Sequence, residues 1–95
     1  MKRIQRLGCV VRDYDWGSRT FLSSLRGEPP AARPEAELWI GAHPGGESTL
    51  ADGGGQRLSA AIAAAPEAWL GPAGAAQWGG ELPFLLKILA IEKPL

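Results

Sequence analysis

The longest apolar run in the chain is LPFLLKILAIEKPL, residues 82–95. Read with a period of two, Phe84, Leu86, Ile88 and Ala90 fall on one face, and Leu85, Lys87, Leu89 and Ile91 on the other. Both faces are apolar except at Lys87, the pattern of a strand covered on both sides. So short a run leaves a helix open, but Pro83 and Pro94 bracket it and favour a strand. A lysine on a covered face needs a partner, a water-filled cavity or a ligand, because burying an unpaired ammonium costs several kcal/mol.

Upstream, residues 4–12 alternate as a candidate strand, with Gly8 as a possible bulge. In YDWGS, residues 14–18, Gly17 breaks the strand and Ser18 is a good helix N-cap. Phe21, Leu22 and Leu25 then have the spacing of one or two helical turns, stopped by Gly27. The proline-rich stretch 27–35 reads as a loop. Residues 37–42, ELWIGA, read as a second strand with Leu38 and Ile40 on one face and Glu37, Trp39 and Gly41 on the other. A turn at 43–47 leads to a possible short strand at 48–51, and DGGG at 52–55 is a flexible turn. Ser59 is placed to cap a helix running through Ala65, with Leu58 and Ile62 as an i, i+4 apolar pair. Pro66 opens a further turn that ends at Gly71. Residues 71–81 read as a loop leading into the terminal strand.

Composition narrows the function classes. Ninety-five residues allow one small domain, and ten basic against ten acidic residues give a net charge of zero. That argues against a nucleic acid or an anionic membrane held by bulk charge. No apolar run reaches the roughly 18 residues of a membrane span. The basic N-terminus lacks the apolar core of a signal peptide. Cys9 is the single cysteine, so no internal disulfide can form, and a reducing, cytoplasmic setting is expected. His43 in GAHP is suited to fixing its turn. Cys9 reads as a small buried hydrophobe and Trp39 as a core residue rather than a sugar platform. DGGG lacks the ending of a phosphate loop.

Three blocks, YDWGS (14–18), AELWIGAHP (36–44) and LPFLLKILAIEKPL (82–95), resemble in order and spacing the N-terminal region of the type I phosphomannose isomerases. The resemblance covers essentially the whole chain. It implies a mainly β, α+β fold with short helices, the N-terminal portion of a cupin-type jelly-roll sandwich left incomplete here. It also implies interconversion of mannose 6-phosphate and fructose 6-phosphate, with a zinc ion holding the enediolate oxygens. In the family the segment LSIQ-x-HP starts at the leucine matching Leu95, and its glutamine and histidine are zinc ligands. The remaining two ligands come later still. The expectation is therefore that residues 1–95 are one N-terminal portion of the catalytic domain, cut before the metal ligands and inactive alone. No zinc is expected on it, and its missing partner is the C-terminal remainder of the enzyme. The residues agree, since one histidine and one cysteine at no metal spacing make a poor zinc site.

Three residues carry over by resemblance as substrate-binding. Lys87 matches a lysine on the strand entering the active-site cup, suited to sugar oxygens or phosphate; the alternative is a lysine snorkelling to the sheet edge. Trp16 matches the tryptophan near the pocket mouth, or packs the turn as a core aromatic. Glu37 matches the acidic residue of the AELW block and could line the pocket or pair with Lys87, or it could sit on a solvated strand edge. A second reading is a naturally short, non-catalytic module that binds a sugar phosphate or a partner chain through the same residues.

Overall fold

A computed structural model describes residues 4–93. The basic start at Met1, Lys2 and Arg3, and Pro94 and Leu95 at the end of the terminal run, lie outside the described residues.

The predicted first strand is divided. Leu7–Gly8 (β1) pairs antiparallel with Thr49–Leu50 (β4), and Val10–Arg12 (β2) pairs antiparallel with Glu37–Gly41 (β3). The chain changes sheets at Cys9, next to the glycine suspected of a bulge, so one apolar stretch supplies two sheets. A Cβ on Gly8 would stand 3.0 Å from the Thr49 hydroxyl, so the crossing is tight. Leu85–Leu89 (β5) adds to the far side of β3, giving a three-stranded antiparallel sheet in the order β2-β3-β5. The terminal run is thus a strand, as its prolines suggest.

One face of this sheet carries Val11, Leu38, Ile40 and Ile88, which pack with Ala90 and Cys9 around Leu22 of helix α1, Phe21–Leu25. Leu22 is fully buried. Ser18 does serve that helix start: its hydroxyl accepts the N–H groups of Thr20 and Phe21, each at 3.1 Å. A second core gathers Leu50 with Leu58, Ala61 and Ile62 of α2, Leu58–Ala64, and packs against Trp69 and Leu70.

Two sequence expectations about helices need correction. Ser59 does not cap α2. The helix begins one residue earlier, and the Ser59 N–H is accepted by the Glu47 carboxylate at 2.6 Å, a cap supplied from the preceding turn. Residues 71–81 are not a loop. Helix α3 spans Pro66–Trp78, broken at Gly71, where φ is 75° and ψ 164°. Gly71 ends the first piece as expected. Pro72 then starts a second piece, continued by alanines and stopped by Gly79.

The terminal strand also departs from expectation. It is not covered on both sides: Phe84, Leu86, Leu89 and Ile91 are exposed, with Leu86 at 59%. One short helix covers only the Ile88–Ala90 end of its inner face, and the outer face is occupied by charged groups described below. Among the described residues nothing pairs with the edge of β5 away from β3.

Candidate functional site

Strand parity and register build a charged patch on the outer face of the β2-β3-β5 sheet. Val10, Trp39 and Lys87 are cross-strand neighbours in one row, and Arg12, Glu37 and Leu89 in the next. Trp39 stands on the central strand, so its indole lies between a cation from each neighbour. The Arg12 guanidinium lies 4.6 Å from the ring centroid and the Lys87 ammonium 4.5 Å. At such partly exposed sites each contact contributes about 0.5–1 kcal/mol.

Glu37 is the one carboxylate in this cluster. Its Oε1 accepts the Trp39 Nε1–H at 2.8 Å and stands 3.8 Å from Lys87 Nζ. The Glu37 side chain is 15% exposed and that of Lys87 42%. The expected Glu37–Lys87 pairing is therefore present. It is a loose ion pair in partial solvent, contributing about 0–1 kcal/mol. Lys87 is not deeply buried: its ammonium lies over the Trp39 ring and beside Glu37, partly open to solvent.

The turn at 43–46 closes one side of the patch. His43 holds it as expected: its Nδ1 accepts the Gly45 N–H at 2.9 Å, and its carbonyl accepts the Gly46 N–H at 3.0 Å. Its ring meets Trp39 edge-on, with centroids 5.7 Å apart. Arg12 Nη2 donates to the Gly45 carbonyl.

Trp16 sits elsewhere. Its ring stacks on Tyr14 at 5.6 Å, and its carbonyl accepts the N–H groups of Glu92 and Lys93 at 2.8 and 3.3 Å. Among the described residues no hydrogen bond, ion pair or ring contact joins it to Glu37 or Lys87. Trp39, read from the sequence as core, is instead the half-buried centre of the patch. The signal was available: Trp39 shares strand parity with Glu37, two residues away. Arg12 was not singled out, because only the register of β2 against β3 brings it there.

A groove of about 840 Å³ lies on the other side of the turn, between Glu47, Arg57 and Ser59 and the 80–85 segment. It includes none of Trp16, Glu37 and Lys87. The cation–aromatic contacts and the Glu37–Lys87 pair lie on the patch, not in the groove. Among the described residues no three His, Cys, Asp or Glu side chains gather as a metal site. No helix there is long and apolar enough to cross a membrane.

These features define a small α+β unit of antiparallel sheets and short helices, displaying a tryptophan-centred charged patch on an open sheet. Residues 4–95 match the family model described as phosphomannose isomerase type I, catalytic domain. The chain belongs to that family. It is 42% identical over 95 residues to the mannose-6-phosphate isomerase of Escherichia coli K12, covering 97% of this chain and 24% of that protein. It is 38% identical over 105 residues to mannose-6-phosphate isomerase 1 of Arabidopsis thaliana, with 99% and 24% covered. Its fold is similar to the crystal structure of mannose 6-phosphate isomerase from Salmonella typhimurium bound to substrate (f6p) and zinc, at a TM-score of 0.78 and 43% identity. That match covers 96% of this chain and 23% of the other. The chain thus spans about a quarter of the length of the relatives it matches.

Proposed function

We propose that residues 1–95 act as the N-terminal portion of the catalytic domain of a cytoplasmic mannose-6-phosphate isomerase. In this reading the two small sheets are the first part of a cupin-type jelly roll. The observation that carries the proposal is the family match over nearly the whole chain, joined to the Glu37–Lys87 pair on an open sheet face.

Moving a proton between C2 and C1 of an aldose and its ketose needs a positioned base and a means of holding the developing oxyanion. Among the described residues no cluster of metal-ligating side chains gathers, and the base is assigned to residues outside this segment. Its contribution is to grip the sugar phosphate. Lys87 donates as a point charge to sugar or phosphate oxygens, Glu37 accepts a sugar hydroxyl, and Trp16 borders the mouth. Zinc in the family would need about three His, Cys, Asp or Glu ligands. The described residues bring no such set together, so no step is assigned to a metal on this chain.

Two measurements test this. The intact mass of the polypeptide in its source cells should be several times the 10.0 kDa of this chain. A mass near 10 kDa would contradict the reading and favour a short binding module. The 95-residue chain alone should give no turnover of mannose 6-phosphate with zinc added. Chelator-sensitive turnover above background would overturn the assignment of the chemistry to residues outside it.

A further inference from the structure

We propose that Trp39 is a positioning residue for sugar-phosphate binding, setting the Glu37 carboxylate through its indole N–H and steadying the Lys87 ammonium over its ring. The inference rests on the functional reading above and adds a residue that reading does not use.

The distances decide which contact fixes Glu37. Lys87 Nζ is 3.8 Å from the carboxylate, too far for a hydrogen bond, and its side chain is substantially exposed. The Trp39 N–H reaches the same oxygen at 2.8 Å, a hydrogen bond assisted by the carboxylate's charge. Glutamate and lysine are both long and rotamer-rich, so neither can order the other cheaply. The indole can, because it is itself immobilised. A Cβ at buried Gly46 would come within 2.9 Å of the ring's Cε3 and 3.3 Å of Arg12 Nη2, so the backbone of the turn lies directly against the ring. Arg12 ties that same turn to the ring by donating to the Gly45 carbonyl and lying over the indole. His43 abuts its edge. The turn, Arg12 and the indole form one unit, and Glu37 is hung from it.

The arrangement also sets the kind of ligand. Arg12 and Lys87 against Glu37 leave the patch with one excess positive charge, and among the described residues the one hydrogen bond and the one ion pair of the Glu37 carboxylate both fall on Oε1. An anionic, hydroxyl-rich ligand fits that set of donors and acceptors.

The test uses the native polypeptide that contains this segment, labelled with 15N at tryptophan. The Trp39 indole resonance, assigned by its loss in Trp39→Phe, should shift on Glu37→Gln. An indole signal indifferent to Glu37→Gln overturns the proposal. In steady-state assays Trp39→Phe should raise KM for mannose 6-phosphate about tenfold, with a smaller change in kcat, as expected for loss of one charge-assisted hydrogen bond. Adding Glu37→Gln to it should cost clearly less than the sum of the two single changes. Fully additive effects overturn the positioning role. If Glu37→Gln leaves KM unchanged, the functional reading of the site falls, and the indole shift still decides whether Trp39 holds Glu37.

Discussion

Glu37 and Lys87 show how far a single residue can be read. Each is a charge interrupting an apolar alternation, which marks a side chain with a task without saying what it meets. That the two meet depends on β5 lying beside β3 with Trp39 opposite Lys87, a matter of sheet order that parity alone does not contain. Trp39 was read as core for the same reason, since a large aromatic in a short strand is ordinarily buried. Trp16 was grouped with the pair by resemblance, whereas within this chain its ring meets Tyr14. Gly17 is a second residue whose identity follows from close approach. A Cβ there would lie 2.5 Å from the Glu35 carbonyl carbon, where an isolated antiparallel bridge joins Ser18 and Glu35. Because the obstruction is backbone, Gly17→Ala is expected to destabilise the protein by about 2–3 kcal/mol, measured by urea unfolding. A change under about 0.5 kcal/mol would mean that the backbone yields there.

At the scale of elements, period and punctuation located the described strands to within a few residues, with β1 and β2 read as one. They failed where a partner came from far along the chain or where punctuation had two meanings. Helix α2 was given a local cap at Ser59, but its actual cap is Glu47, twelve residues earlier. A carboxylate at a helix start satisfies a free N–H and favours the positive end of the dipole. Glu47→Ala should therefore cost about 1 kcal/mol, again read by urea unfolding, while Ser59→Ala should cost less. The reverse order would restore the local cap. In the 71–81 stretch, Pro72 and the glycines were taken as loop formers. Pro72 is instead the first residue of a helical piece, where proline is well tolerated.

For the molecule as a whole, the three sequence blocks identified the family, and the α+β class their resemblance implies is the one the described residues adopt. What the sequence overstated was the burial of the terminal strand. Within this chain the outer side of β5 meets no partner strand among the described residues, and Phe84, Leu86, Leu89 and Ile91 are exposed. An open edge flanked by apolar side chains is a template for further pairing. The isolated 95-residue chain should therefore self-associate in a concentration-dependent way in sedimentation experiments. A monomer with a sharp, cooperative thermal transition would show that the edge is protected.

The central claim is that this segment supplies the Lys87 grip on a sugar phosphate. It is tested most directly by kcat/KM for mannose 6-phosphate in the native polypeptide carrying Lys87→Ala. Lys87 is partly exposed and its pairing with Glu37 is weak, so thermal stability should change little. kcat/KM should fall about tenfold or more, from loss of a charge-assisted contact with the ligand. An unchanged kcat/KM would make Lys87 a surface lysine resting on Trp39 and remove this face from the active site.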